Sequence, residues 1–226
     1  MVEPSHILSK WWDEFFMYHK LNAVIFIFLF IILSSCDDEN TAANQVQWES
    51  IEFPGENVIY AVYGDLDEYL LVSTPTKILR TVDGGKTWTT VKSVVDPIGN
   101  FNSLNDDLYA VSNFTDYISH DAGQTWEAVA FDYELYPNSL NFNDSKGTLY
   151  QVVEHYDGEL GLPTSFLRST NKGNTWENIF PDKHSFYAWH INAQDRVYIG
   201  TSGSVWDGQS FRDDNPQFRA YLYYMK

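Results

Sequence analysis

One eight-residue pattern occurs three times in this chain, and it constrains the fold more than any other feature. It reads T-V-D-G-G-K-T-W at residues 81–88, S-H-D-A-G-Q-T-W at 119–126 and S-T-N-K-G-N-T-W at 169–176. All three copies fit S/T-x-D/N-x-G-x-T-W. Repeats spaced by a few tens of residues are typical of folds that use one supersecondary unit several times. The pattern therefore indicates a repeat protein.

Each part of the pattern has a physical role in a tight turn that leads into a strand. The Asp or Asn oxygen can accept hydrogen bonds from nearby backbone N–H groups, and the Gly can adopt a positive φ. The Trp buries a large apolar face while its N–H finds a partner. The strand that follows repeats too, as W-T-T-V, W-E-A-V and W-E-N-I. A fourth such strand, W-E-S-I at residues 48–51, has no copy of the pattern before it.

The pattern resembles the Asp-box (BNR) repeat of sialidase-like β-propellers. The resemblance implies that these residues are structural and lie at the periphery of the blades, away from a central ligand cleft. They are Thr81, Asp83, Gly85, Thr87 and Trp88 in the first copy, Ser119, Asp121, Gly123, Thr125 and Trp126 in the second, and Ser169, Asn171, Gly173, Thr175 and Trp176 in the third.

The rest of the chain after residue 45 reads as short strands. Runs rich in Val, Ile, Tyr, Phe and Trp alternate with Gly, Asn, Asp and Pro, without a helical period. They group into four units of four strands, and each unit matches one propeller blade. We therefore predict an all-β domain at 46–226, a small β-propeller of about four four-stranded blades. Sialidases have six blades, so the chain is either a compact ring or truncated from a larger propeller.

Three further segments bear on how the last blade is built. Residues 48–53 are suited to complete it, since propellers commonly close by lending an N-terminal strand to the last blade. Residues 204–211, S-V-W-D-G-Q-S-F, look like a damaged fourth box with Trp206 in the Asp position. Residues 217–225 read as one more strand without a successor, which leaves the truncation open.

The N-terminal part has the features of an export signal. Residues 23–33 are an unbroken apolar run of 11 residues behind Lys20, too short for a membrane span and typical of a signal-peptide core. The closing L-S-S-C resembles a bacterial lipobox, which predicts lipidation of Cys36, the single cysteine. We assign 1–35 to the lipoprotein signal peptide, with Met17 as an alternative start, and 36–45 to a lipidated acidic tether.

The tether and the overall charge limit the location and the partners. D-D-E directly after Cys36 resembles the surface-export signal of Bacteroidetes lipoproteins, and the alternative is a plain solvated tether. Together with the lipobox, it predicts an outer-membrane lipoprotein of the cell envelope, facing either the periplasm or the cell surface. The formal net charge of −17 repels phosphate backbones, so nucleic acid is not an expected partner.

The residues for sialidase chemistry cannot be assembled from this sequence. Sialidases hold a substrate carboxylate with three arginines, and the mature chain has only Arg80, Arg168, Arg196, Arg212 and Arg219, the first two at equivalent repeat positions. Asp65, Asp67, Glu68, Asp157 and Glu159 are candidate glycosidase acids, but no spacing distinguishes a pair. His155, His184 and His190 share no metal-ligand spacing. We expect no cofactor and no metal.

Aromatic residues provide the remaining functional signal. Tyr187, Trp189 and Trp206 lie in the fourth unit, and Tyr156 lies in an insertion in the third. Such side chains either stack on sugars and fill protein pockets or pack between blades. We predict a membrane-anchored, non-catalytic binding or scaffold module for a glycan or a surface or periplasmic protein. The alternative is a glycan-processing enzyme, complete or degenerate.

Overall fold

The computed structural model describes residues 46–53, 55–130, 141–158, 160–180, 183–212 and 219–226. Cys36 and the predicted signal peptide and tether lie outside these residues. The described part is all-β, with 17 strands in four antiparallel sheets. The sheets are the blades of a four-bladed β-propeller, which confirms the predicted fold class.

The first three blades are plain four-stranded meanders, in which chain order runs from the innermost to the outermost strand. Blade 1 contains β2 (Ala61–Gly64), β3 (Leu70–Ser73), β4 (Lys77–Thr81) and β5 (Thr89–Ser93). Blade 2 contains β6 (Asn100–Leu104), β7 (Asp107–Val111), β8 (Asp116–Ser119) and β9 (Glu127–Val129). Blade 3 contains β10 (Asn141–Asn143), β11 (Leu149–Asp157), β12 (Leu160–Ser169) and β13 (Glu177–Asn178).

Blade 4 combines the two ends of the described chain. Its order is β14 (His184–Ile191), β15 (Val197–Trp206), β17 (Ala220–Met225) and β1 (Trp48–Phe53), with β16 (Phe211–Arg212) beside β15. β1 pairs with β17 along its whole length, from Trp48↔Met225 to Phe53↔Ala220. The predicted closure by residues 48–53 is therefore confirmed. The C-terminal strand has a place as the third strand of this blade.

Buried apolar side chains join the blades in three clusters. One joins blade 1 to blade 4 and includes Val72, Phe53 and Leu222. A second joins blade 1 to blade 2 through Leu71, Phe101 and other residues. The third joins blade 3 to blade 4 and has Phe166 at its centre. Among the described residues, no such cluster joins blade 2 to blade 3.

The three box tryptophans differ in how far they are buried. Trp88 packs on Phe53 of blade 4, with ring centroids 4.7 Å apart. Trp126 is only 7% exposed and belongs to the cluster between blades 1 and 2. Trp176, the equivalent residue of blade 3, is 38% exposed. The tryptophan at the same position of the pattern is therefore buried to different extents, depending on the side chains that pack against it.

The tryptophans of boxes 2 and 3 give a matched test of this asymmetry. Trp126→Ala should lower the free energy of unfolding by about 3–5 kcal/mol, the usual cost of removing a buried Trp. Trp176→Ala should cost less than half as much, because its ring is already partly hydrated. Each variant loses the same indole hydrogen bond to a glycine carbonyl, 3.1 Å long in both boxes. Urea denaturation measures both values, and equal losses would contradict the asymmetry.

Candidate functional site

The three boxes occupy equivalent places in three blades. Each links the third strand of its blade to the outermost one: β4 to β5, β8 to β9 and β12 to β13. Because neighbouring strands are antiparallel, the turns between first and second strands lie at the same end of the blades. We call this the box end. The turns between second and third strands and the connections between blades lie at the other end, which we call the cleft end.

In the first box, the side chains of Thr81 and Asp83 make most of the hydrogen bonds that hold the turn. The Thr81 hydroxyl donates to Oδ1 of Asp83 (2.8 Å) and accepts from the backbone N–H of Gly85 (3.1 Å). Asp83 also accepts from the backbone N–H of Thr87 (2.9 Å) and from its hydroxyl (2.6 Å). The indole of Trp88 donates to the carbonyl of Gly85 (3.1 Å). Every specified position of the pattern thus has a contact within its own box.

The second and third boxes repeat this arrangement, with one chemical difference. In box 2 the hydroxyl of Thr125 donates to Oδ2 of Asp121 (2.7 Å). In box 3 the residue at the Asp position is Asn171, whose amide Nδ2 instead donates to the hydroxyl of Thr175 (2.7 Å). The backbone N–H of Thr175 still donates to Oδ1 of Asn171 (2.9 Å). An amide therefore replaces the carboxylate without loss of the turn.

The box hydrogen bonds favour ionised carboxylates. The pKa of Asp83 falls to about 2, mainly because of the hydroxyl and then the backbone N–H of Thr87. The pKa of Asp121 also falls to about 2, with the backbone N–H of Thr125 as the largest cause. Donors that bond to the charged form of an acid lower its pKa in this way. The two carboxylates are therefore stabilised in their ionised form by donors of their own turns.

The prediction of a fourth box at 204–211 is wrong. This segment is the end of a hairpin between β15 and β16, which pair through Val205↔Arg212 and Trp206↔Phe211. It therefore lies between the second and third strands of blade 4, where the other blades carry no box. Its turn is organised by Asp207, whose Oδ1 accepts from the backbone N–H groups of Gln209 and Ser210, each at 2.8 Å.

The four aromatic residues predicted to contact a ligand are in different environments. Tyr187, on the innermost strand of blade 4, is 51% exposed, and Tyr156 is 64% exposed near the end of β11. Trp189 stacks on Phe142 at 6.2 Å in the cluster between blades 3 and 4. Trp206 lies edge-on to Phe211 at 5.3 Å within its hairpin. The structure thus places two of the four in solvent and packs the others.

A cleft at the cleft end adjoins one of the exposed tyrosines. It has a volume of about 190 Å³ and is lined by Tyr60, Pro97, Gly99, Ser112 and Asn113. The Tyr60 ring is 5.8 Å from that of Tyr187. On the side of the cleft formed by blade 2, Phe114 follows the lining residue Asn113 in the same loop, and its side chain is exposed. Neither Tyr60 nor Phe114 is predicted from the sequence, because neither belongs to a repeat or a motif.

The candidate acids that the structure describes do not form one site. Asp65 is buried, and its Oδ1 accepts from Nη1 of Arg196 (2.9 Å). Asp67 accepts from Nη2 of the same guanidinium (2.9 Å). Both lie at the box end of blade 1, whereas Asp157 lies at the cleft end of blade 3. Glu159 is outside the described residues.

The five arginines each have partners in the protein. Arg80 donates to the carbonyl of Ala122 (3.1 Å) and lies over the ring of Tyr69. The other four make ion pairs, Arg168 with Glu177, Arg196 with Asp65 and Asp67, Arg212 with Asp207, and Arg219 with Glu52. The structure does not bring three of them to one cleft.

A polar network at the box end joins three blades, and sequence reasoning missed it. The Asn192 side chain shapes the first turn of blade 4 by accepting from the backbone N–H of Arg196 (2.8 Å), and its amide donates to Asp65 of blade 1. Three residues later, Asp195 accepts from the backbone N–H (2.7 Å) and hydroxyl (2.6 Å) of Ser145 in blade 3. Only the tertiary fold brings these three turns together.

His190 lies at the same junction between blades 1 and 4. Its Nε2 accepts from the backbone N–H of Gly64 (3.2 Å), and its ring is 5.2 Å from that of Tyr63. Burial lowers the pKa of His190 to about 4, so the imidazole is neutral at ordinary pH. The residue therefore serves as a hydrogen-bond acceptor between blades.

Two further features concern metal binding and membrane spanning. The described part of the chain contains no group of three or more His, Cys, Asp or Glu side chains that could hold a metal ion. Over the same residues, no helix has the length and apolar character needed to cross a bilayer.

Comparisons with known proteins add one family match. Residues 117–128, which include the whole of box 2, match the BNR/Asp-box repeat family model. A search of curated proteins gives no match. The chain therefore carries an Asp-box repeat on a β-propeller.

Several solved structures are similar at low identity. They include YCF48 from Cyanidioschyzon merolae (14% identity, TM-score 0.32, 73% of each chain covered) and YCF48 bound to a D1 peptide (20%, 0.30, 73% of this chain and 57% of that chain). A GH74 xyloglucanase from Xanthomonas campestris is similar over 76% of this chain and 32% of its own, with 16% identity and a TM-score of 0.28. These likenesses carry no inference about ligand or activity.

The boxes predict a specific response to acid. Because Asp83 and Asp121 have pKa values of about 2 in the folded protein, against 3.8 ordinarily, their stabilising effect is complete above about pH 4 and is lost as the pH falls through 2. The double variant Asp83→Asn and Asp121→Asn should therefore show a smaller fall in melting temperature between pH 4 and pH 2.

The third box supplies the reverse control. Asn171→Asp should make the melting temperature more sensitive to acid over the same range, because it adds a carboxylate with the same donors. Differential scanning calorimetry across this pH range measures both effects. Identical pH profiles for the parent and both variants would show that the boxes do not hold ionised carboxylates.

Proposed function

We propose that this propeller is a non-catalytic binding or scaffold module for a glycan or protein partner. The observation that carries the proposal is the exposed Tyr187 beside Tyr60 at the rim of the cleft. An aromatic side chain on an innermost strand, half exposed to water, forgoes the burial that such side chains usually gain. A ligand that covers it would recover that burial.

The lining of the cleft indicates the chemistry of the ligand. Its five residues are two rigid apolar or aromatic side chains, a glycine and two neutral polar residues. Charged side chains are not among them, so the cleft suits a neutral surface rather than an anionic sugar. Aromatic faces with a few neutral hydrogen-bonding groups bind both neutral sugars and peptide segments. Both partner classes therefore remain within the proposal.

The boxes belong to the structural part of the same proposal. Their hydrogen bonds run within each turn, at the end of the blades opposite the cleft. In this proposal the residues of the three boxes maintain the outer strands and do not contact the ligand.

The N-terminal segments give the module its place in the cell. We propose that residues 1–35 are removed as a signal peptide and that residues 36–45, lipidated at Cys36, tether the domain at 46–226 to the outer membrane. The lipobox-like L-S-S-C and the apolar run before it support this.

Glycan processing is the second candidate function. It is supported by the resemblance of the boxes to those of sialidases and by exposed acids such as Asp157 near the cleft end. A hydrolase would need a carboxylate pair about 5–10 Å apart across the substrate. Release of sugar from an array of neutral and sialylated oligosaccharides, above a heat-inactivated control, would favour this function over binding alone.

The binding proposal is tested with the detergent-solubilised protein on a glycan array and in pull-downs from envelope extracts. Tyr187→Ala should weaken capture of any bound partner about tenfold, a loss of roughly 1.4 kcal/mol, without changing the melting temperature. Val82→Ala, which alters an exposed residue at the box end, is the matched control and should bind as the parent does. Equal capture by Tyr187→Ala and the parent would refute the role of the cleft.

Anchoring is tested separately. The protein expressed in a bacterial host should incorporate labelled palmitate and partition into the detergent phase. Cys36→Ser should remove both properties, because the thiol that carries the lipid is absent. Equal labelling of parent and variant would contradict the lipoprotein assignment and leave the binding proposal untouched.

A further inference from the structure

The residues that line the cleft have little hydrogen-bonding capacity left for a ligand. Three of the five donate their backbone N–H within the protein, Tyr60 to the carbonyl of Ser73 (2.8 Å), Gly99 to the carbonyl of Val111 (2.9 Å) and Ser112 to Oδ1 of Asp116 (3.1 Å). Pro97 has no N–H at all. The backbone of the lining therefore offers few donors to a molecule in the cleft.

The hydroxyl of Ser112 is engaged as well. It donates to the carbonyl of Thr115 (2.8 Å) and accepts from the backbone N–H groups of Phe114 (3.3 Å) and Thr115 (3.0 Å). A hydroxyl has one donor and two acceptor positions, so its capacity is used within its own loop. Among the described lining groups, the donors that remain for a ligand are the phenol of Tyr60 and the N–H groups of Asn113.

This lining favours an apolar side chain over a sugar. A sugar ring carries hydroxyls on several sides, and each one that enters the cleft without a partner costs free energy. An apolar side chain has no such groups and gains by leaving water. The volume of about 190 Å³ is also below the roughly 300–1,000 Å³ of typical small-molecule sites. The cleft therefore has room for one bulky group.

Two strongly exposed apolar side chains adjoin the cleft in sequence. Phe114 follows the lining residue Asn113 and is 76% exposed, and Val95 lies two residues before Pro97 and is 82% exposed. With the half-exposed Tyr187, they provide apolar area outside the cleft itself. A pocket for one anchor residue, with further apolar area beside it, is typical of protein–protein interfaces.

The loop that carries Phe114 is ordered by its own hydrogen bonds. At its start, Ser112 binds the backbone of residues 114 and 115 through its hydroxyl. At its end, the fully buried Asp116 accepts from the backbone N–H of Ser112. An exposed aromatic side chain on an ordered loop loses less conformational freedom on binding than one on a mobile loop. Phe114 is thus presented in advance to a partner.

The charge beside the cleft favours a basic partner. Asp96 directly precedes Pro97, and it makes no ion pair within the part of the chain that the structure describes. Two lysines of blade 1 near this end are engaged in the protein, Lys77 with Glu56 (2.7 Å) and Lys92 with the carbonyl of Trp126 (3.1 Å). The net charge of −17 adds to the negative field. A second copy of this acidic chain would be repelled.

We propose that the cleft, together with Val95, Phe114 and Tyr187, binds a segment of a partner protein. The segment places one bulky apolar side chain in the cleft and carries Lys or Arg beside it in sequence, where Asp96 supplies the opposite charge. The inference rests on the proposed binding function of the cleft, and it restricts the ligand to the protein class.

The test selects peptides on the full-length protein in detergent, from a phage-displayed library of random 12-residue sequences. The selected peptides should share a Leu, Met, Phe or Trp next to a Lys or Arg. The most enriched peptide is then synthesised with a fluorophore and titrated by fluorescence anisotropy. Replacing its apolar residue with Ser should weaken binding at least tenfold, and replacing the basic neighbour with Gln at least threefold.

Protein variants locate the binding surface. Phe114→Ala should weaken binding of this peptide at least fivefold without changing the melting temperature, because the side chain is exposed. Leu104→Ala, which removes an exposed apolar side chain at the box end, is the matched control and should bind as the parent does. Asp96→Asn should weaken binding at least threefold, whereas Glu127→Gln, which removes an exposed acid at the box end, should leave it unchanged.

Two results would overturn the proposal. The first is a set of selected peptides that bind Phe114→Ala and the parent equally, which would mean that they use another surface. The second is a library that yields no binding peptide. If neutral oligosaccharides then bind the parent and lose at least tenfold in affinity with Tyr187→Ala, the binding function stands and only the protein class is refuted. If neither peptides nor oligosaccharides bind, both proposals fail.

Discussion

The pairing of β1 with β17 is the interaction on which most of this propeller depends. It completes the sheet of blade 4 and also brings β1 into contact with blade 1 and with blade 3. Phe53 packs on Trp88 of blade 1, and the indole of Trp48 donates to the carbonyl of Ile179 in blade 3 (2.7 Å). Closure in register thus sets two interfaces between blades at once, because each side chain of β1 has a fixed face.

The two ends of the blades use polar groups differently. At the box end, carboxylates, amides and hydroxyls bond to nearby backbone groups and to each other, as in the boxes and in the network around Asn192. Their bonding capacity is used within the protein. At the cleft end, Tyr187 and Tyr156 stay exposed, and the long hairpins extend beyond the sheets. Interaction with other molecules is accordingly proposed there.

Turn chemistry was the most predictable part of the structure. The roles of Asp83, Gly85 and Trp88 follow from local physical rules, because all partners lie within a few residues. The segment at 204–211 shows where this reasoning fails. It matches part of the pattern, but the long β15 and the short β16 form a hairpin before the third strand of the blade begins. A local match does not say which strands a turn connects.

Patterns along the chain were enough to establish the all-β class, the blade repeat, the box turns and closure by residues 48–53. These features depend on short-range contacts or on repetition. Contacts between blades, in contrast, set which aromatic residues are exposed, the pairing of Arg196 with Asp65 and the network that three distant turns share. They also bury Trp126 and leave Trp176 partly exposed. Identical local motifs differ there because burial depends on the neighbouring blade, which the motif does not encode.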